Sequence, residues 1–363
     1  MSVYIITLIS VCALCYLAEG YDWPEIDEYD RLRVLHSPDA QKLYFVAACI
    51  LICVAGFRYR VGADYKAYYL GYVNYLDNLP NAIHNLDEPG YGVLVWLATR
   101  IYDDGAAPIF LASLVTVSLP IFVIYRHSKE LMLPTFLFVT MGCWSGGFNG
   151  IRQYLAAAIL FCGYRSLRER RILDYCLIVF VAFLFHRSAI VFLFLYFAVN
   201  REINIPNFIL LVVVAGALLV SYDRLFAFAN YIMDAEYSLD NVYTATSVNR
   251  LRILATCVPP AIFLYEYYGE EKNESITFSL NITILRAALS VLAMNSALLY
   301  RVNIYMSFFA PLAIKDLLKD LPERNKKIIT WGAVAMYLVM WWYEIYISST
   351  LNNYQWIWNR PKV

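Results

Sequence analysis

The chain has 363 residues, 61% of them hydrophobic and 16% charged, with a mean hydropathy of +0.53 and 29 basic against 29 acidic side chains. That much apolar surface exceeds what one soluble core hides, so a bilayer is its solvent, and a net charge of zero gives no global field for nucleic acid. With about 20 apolar residues per span, residues 1–363 read as a single all-α integral membrane domain: a polytopic transmembrane helical bundle of about twelve spans.

In chain order, the apolar runs place spans at 2–18, 43–57, 107–125, 131–147, 150–164, 173–185, 188–200, 205–221, 251–267, 276–299, 303–318 and 327–347. The first run has no Lys or Arg before it, unlike a cleavable signal peptide, and reads as a retained span. The short linkers 165–171 and 315–327 are strongly basic, and the positive-inside rule assigns both to the cytoplasm. Alternation then puts 19–42 and 126–130 inside. It puts 58–106, 148–150, 186–188, 222–250, 300–302 and the C-terminus on the outward side. Within the loop 58–106, the stretch near 88–103 is too short to span and reads as a re-entrant or interfacial helix. The runs 173–185 and 188–200 are also short, so their apex at His186, Arg187 and Ser188 sinks below the outer surface. The eight cysteines lie inside apolar runs and read as small packed hydrophobes.

Ionisable side chains at membrane depth are costly, so those present mark a cavity or a partner. Phe57–Tyr65 (FRYRVGADY) sets Arg58, Arg60 and Asp64 at the outward rim; arginine forks match phosphate oxygens, although an arginine pair also anchors a helix end at headgroups. Phe148–Gln153 (FNGIRQ) interrupts an apolar hairpin. With Asn149 near the N-cap, free N–H groups, the helix dipole and Arg152 would converge on one anion, the plainer alternative being a capped turn. His186 is a possible general base or phosphate donor, or a merely structural histidine. Asp64 and Glu88, with Asp77 and Asp87, supply outward carboxylates that are either a base, an arginine partner or solvated loop. Arg250 and Arg252 open one span and Arg301 another, while Arg286 lies inside a span and should point into the protein. No metal-site spacing or nucleotide fingerprint is present, so neither metal nor cofactor is expected.

FRYRVGADY, EPGY, FNGIRQYLA and FLFHRSAI, in this order in a tyrosine-rich polytopic chain, resemble the EpsG family of exopolysaccharide biosynthesis proteins. That family is similar to Wzy-type oligosaccharide repeat-unit polymerases and to C-type membrane glycosyltransferases. The resemblance implies a bacterial cytoplasmic membrane protein, its active site outward, that joins undecaprenyl-pyrophosphate-linked oligosaccharide repeats without metal or cofactor. It maps family positions onto Arg58 and Arg60, onto Asn149, Arg152 and Gln153, and onto His186 and Ser188; the expected pyrophosphate-binding residues are Arg58, Arg60, Asn149, Arg152, Gln153, Arg250 and Arg301. The base is one of His186, Asp64 or Glu88, and Tyr65, Tyr68, Tyr91 and Tyr305 line the sugar path. It leaves open whether a chain-length regulator or a flippase binds. Two rival readings remain from the residues: a lipid-linked oligosaccharide flippase, and a membrane acyltransferase acting through His186.

Overall fold

The computed structural model describes residues 2–28, 30–75, 88–200, 248–294, 297–348 and 350–360. The expected span at 205–221, almost all of the loop 222–250, and the carboxylates Asp77 and Asp87 lie outside the described residues. The chain divides into two compact units, Met1–Leu193 with Val334–Val363, and Phe194–Ala333.

The first unit opens with helix α1 (Ser2–Gly20), a two-residue antiparallel ribbon of β1 (Glu25–Ile26) and β2 (Val34–Leu35), and helix α2 (Pro38–Gly56). Helix α2 starts where its sequence says it should. Ser37 accepts from Ala40 N at 3.2 Å and Pro38 supplies a pre-set φ at the first helical position. Then come α3 (Tyr65–Gly71), α4 (Pro89–Ile101), α5 (Ala106–His127), α6 (Met132–Thr140), α7 (Ile151–Phe161), α8 (Tyr164–Arg168) and α9 (Ile172–Phe185). Helix α5 packs on α2, α4 and α7, and α9 packs on α4 and α7.

Side-chain bonds separate this unit into two ends. At one, the Glu19 carboxylate accepts from Leu131 N and Met132 N at 2.6 and 2.8 Å. There His36 bonds Asp22 through Nδ1 and donates Nε2–H to Tyr125 O at 2.8 Å, and Arg165 pairs with Asp30 at 2.8 Å. At the other end lie the close of α2, the starts of α4 and α7, and the segment 354–360. That segment forms a short bridge with the chain after α2: Tyr59 N donates to Gln355 O and Ile357 N to Phe57 O, both at 2.8 Å. Among the described residues, those assigned to opposite membrane faces, within 19–42, 126–130 and 165–171 against 58–75, 88–106, 148–150, 186 and 354–360, thus occupy opposite ends of the unit.

The second unit holds α10 (Leu195–Val199), α11 (Arg250–Glu266), α12 (Glu274–Leu292), α13 (Ala297–Lys319) and the first half of α14 (Glu323–Tyr343). Asn249 and Asn273 cap α11 and α12 by accepting from Leu251 N and Ile276 N, each at 2.9 Å. Arg286 is buried mid-helix and donates from Nε to Ser307 Oγ at 3.3 Å, so it points into the protein as its position in a span requires.

The all-helical membrane architecture holds, but the count of twelve spans does not follow. Among the described residues five helices are long and apolar enough to cross a bilayer: Val3–Gly20, Pro38–Gly56, Ala106–His127, Glu274–Leu292 and Glu323–Ile347. The runs 131–147 and 150–164 become helices of only 9 and 11 residues. At about 1.5 Å per residue neither covers the ~30 Å hydrocarbon core. Every residue from Leu133 to Thr140 is buried by protein, which accounts for an apolar run that lipid does not explain. The glycines of Gly142-Cys-Trp-Ser-Gly-Gly-Phe-Asn-Gly150 end the first helix early, Gly142 at φ +81°. The expected helix near 88–103 is present as α4, and the break at His186 is present as one extended residue after α9.

Gly62 joins the two outward motifs. It sits at φ +103°, and a Cβ there would lie 2.3 Å from Phe148 O, while Ala63 N donates to Asn149 Oδ1 at 2.7 Å. Gly62→Ala should lower the thermal unfolding midpoint in detergent by the equivalent of about 1–3 kcal/mol. Gly71→Ala, where a Cβ meets nothing within 4 Å, should leave it unchanged or raise it.

Candidate functional site

Glu88 is the residue immediately before α4 and is buried, 5% exposed. Pro89 starts the helix, and Gly90 lets it approach α9: a Cβ at Gly90 would meet the Leu184 carbonyl at 3.0 Å. This close approach brings the Glu88 carboxylate to the extended residue after α9, His186. Because an ionised carboxylate only accepts, Nδ1 carries the proton and donates to Glu88 Oε1. The backbone N–H of Arg187 adds a further bond.

Arg152 comes from the second position of α7, whose N-cap is Gly150 with no side-chain cap. Asn149, expected near that cap, adjoins it, and its side-chain oxygen is committed to Ala63 N. Arg152 Nη1 lies 2.8 Å from Glu88 Oε2, yet that oxygen accepts no aligned hydrogen bond, so charge rather than a directed bond holds the contact. The guanidinium also bonds the Tyr68 hydroxyl and lies over the Tyr91 ring at 6.0 Å. Burial by itself would raise the Glu88 pKa. The His186 bond, the His186 and Arg152 charges and the Arg187 N–H outweigh it and hold the carboxyl below its usual range.

Three motifs separated by up to 98 residues thus meet: EPGY, FNGIRQ and FHRS. Arg152 and His186 are reachable from solvent while Glu88 lies behind them, with side-chain exposures of 40%, 24% and 6%.

The remaining expected residues are placed as follows. Arg58 is 1% exposed, below the rim; it donates to Ala55 O and to Ser113 Oγ at 2.9 Å, and its guanidinium lies 4.7 Å over the Phe148 ring. Burial pushes its pKa down, to about 10, so it remains a cation at neutral pH. Arg60 is exposed at φ +53°, stacked over Tyr59 at 5.3 Å, and Asp64 is exposed at the start of α3 without a side-chain cap bond. Gln153 is buried, as are Tyr65 and Tyr91, both in an apolar cluster with Tyr59, Leu94 and Ile109. Tyr68 is half-buried beside Arg152. Arg250 and Arg301, both exposed, and Tyr305, fully buried, belong to the second unit.

Tyr75 was not singled out from the sequence, yet its ring packs edge-on to Tyr91 at 6.3 Å and its hydroxyl faces the charges of Arg152 and Glu88. Its signal was its position seven residues after Tyr68, two helical turns along one face. Arg360, also missed, bonds Asp104 and donates to the Tyr69 hydroxyl at 3.0 Å, tying the chain's end to this region.

A model of the EpsG family matches residues 41–357. No curated protein and no solved structure matches the chain.

The lowered Glu88 pKa fixes the sign of an acid effect. A carboxylate depressed on folding contributes stability that is full above its unfolded pKa and is lost as pH falls through the folded value. In detergent, wild type should exceed Glu88→Gln in thermal midpoint by a constant margin near neutrality, and the margin should shrink below the ordinary carboxylate range. Thermal scans from pH 7 to 3 measure it.

Proposed function

We propose that this chain, which belongs to the EpsG family, is a polysaccharide polymerase joining undecaprenyl-pyrophosphate-linked oligosaccharide repeats on the outer face of a bacterial cytoplasmic membrane. The observation that carries the reading is the meeting of Arg152 and His186 around Glu88, both side chains open to solvent beside a half-buried tyrosine. An arginine fork suits a diphosphate, and an imidazole whose Nδ1 is committed keeps Nε2 as a proton acceptor. Membership of a family devoted to exopolysaccharide biosynthesis supports a glycan as the substrate.

In this reading the hydroxyl oxygen of the acceptor sugar forms the new glycosidic bond at the anomeric carbon of the donor. The bond from that carbon to the diphosphate oxygen breaks, and the diphosphate leaves with the electron pair. Arg152 offsets its growing negative charge, and His186 Nε2 takes the hydroxyl proton. Tyr68 borders the path. Arg58, enclosed beneath Phe148 and bonded to Ala55 O and Ser113 Oγ, holds the end of α2 against α5 and the second motif and takes no part in this step.

Arg152→Ala and His186→Ala should each abolish long chains while single lipid-linked repeats accumulate, read as loss of the ladder when the purified protein is given defined lipid-linked repeat units. Normal chain lengths from either variant, folded and expressed at the wild-type level, would overturn the site.

A further inference from the structure

We infer that Glu88 is a positioning residue coupling the two reactive side chains: it fixes the tautomer of His186 and yields Arg152 to an incoming diphosphate. The inference deepens the proposed reading of the site and rests on it.

Glu88 is poorly placed to be the base itself. Its side chain is 6% exposed and stands behind Arg152 and His186, so an acceptor hydroxyl meets the imidazole first. Its two contacts differ in kind. The one to His186 is a directed hydrogen bond on Oε1, backed by the Arg187 N–H, and it leaves Nε2 without a proton and facing outward from the pair. The one to Arg152 is a 2.8 Å approach to Oε2 with no aligned N–H, on an oxygen that has no other bond.

A diphosphate offers the same guanidinium more negative charge and a pair of oxygens that fit its fork. Arg152 is 40% exposed and Glu88 nearly closed off, so the exchange can happen from the solvent side without unpacking α4. After it, the carboxylate keeps its bonds to His186 and the Arg187 N–H. It then stabilises the imidazolium formed when Nε2 accepts the acceptor's proton. At rest the Arg152 cation offsets the Glu88 charge, and after proton transfer the imidazolium does so in its place.

The test uses the purified full chain in detergent, with inorganic pyrophosphate as the binding probe and lipid-linked repeat units as the substrate. Glu88→Gln removes the competitor for Arg152 and should bind pyrophosphate about tenfold more tightly. It should also lose on the order of 10²–10⁴ in ladder formation, because the amide no longer enforces the Nδ1–H tautomer. A purely structural role would weaken both together. Glu88→Asp, which retracts the carboxylate by one methylene, should move both readouts in the same opposed directions by less, and it decides the matter if the Gln variant fails to fold. An active wild type with a Gln variant that binds pyrophosphate no more tightly, or that polymerises normally, would sink the coupling and leave the polymerase reading standing. Tighter binding in the Gln variant of a protein whose wild type extends no glycan would instead keep the exchange at Arg152 and remove the polymerase reading.

Discussion

A carboxylate closed off inside an apolar membrane protein must be matched by cations, because an unmatched charge there costs several kcal/mol. Glu88 is met by the Arg152 cation at one oxygen and by the His186 N–H at the other, and much of the first unit serves that match. Pro89 and Gly90 let the start of α4 lie against α9 closely enough for the carboxylate to meet the residue after it. The glycine-rich turn after α6 ends that helix early and starts α7 at a level where its second residue, Arg152, faces the same carboxylate. Short helices are therefore part of how the site is made. A full span in place of α6 would carry the turn and Arg152 after it past the position Glu88 occupies.

That dependence explains what the sequence revealed and what it hid. Glu88, Arg152 and His186 were legible as candidates because polar residues interrupting apolar runs stand out, and topology alone put all three on one side. Their mutual contact was not legible, since residues 88, 152 and 186 meet only through the packing of α4, α7 and α9. Two of the expected spans, 131–147 and 150–164, are short helices, and they read as spans because hydropathy registers removal from water and does not distinguish lipid from protein. Leu133 to Thr140 are apolar because other helices surround them. Asn149 looked like a cap by type and position, but the positive φ of Gly62 turns Ala63 N toward it, and a backbone donor 86 residues away takes the oxygen.

Arg58 and Arg60 show how far neighbouring residues of one type diverge. The sequence offers them as a pair at the rim. The bridge to residues 355–357 gives this stretch an extended course, and Arg60, at φ +53°, turns out toward solvent while Arg58 turns in. An enclosed guanidinium with no carboxylate among the groups it bonds is tolerable because of where it sits. Ala55 O, which it bonds, belongs to the last turn of α2, where the helix dipole presents partial negative charge, and the Phe148 ring face adds cation–π attraction. The C-terminal segment helps close this environment, since Tyr354 donates to Val54 O at 2.7 Å and stands edge-on to Tyr4. Residues 300 positions apart therefore set the surroundings of a single cation, a dependence that no local motif encodes.

The opposite end of the unit follows a different rule, and the contrast locates the chemistry. There the charges cancel in place: Arg165 meets Asp30 and Glu169, Arg171 meets Asp174, Asp22 meets His36, and Glu19 takes the two N–H groups that open α6. Arg165–Asp30, Asp22–His36 and the Glu19 bonds each tie separate segments together, while Arg165–Glu169 and Arg171–Asp174 close charges within one helix end. At the site end the charges are matched with less finality. Arg152 meets Glu88 by charge without an aligned bond between them, and the imidazole has a nitrogen to spare. An end whose ion pairs are complete fixes the fold, whereas an end whose cation is held loosely and remains open to solvent is one where an anionic substrate can complete the set.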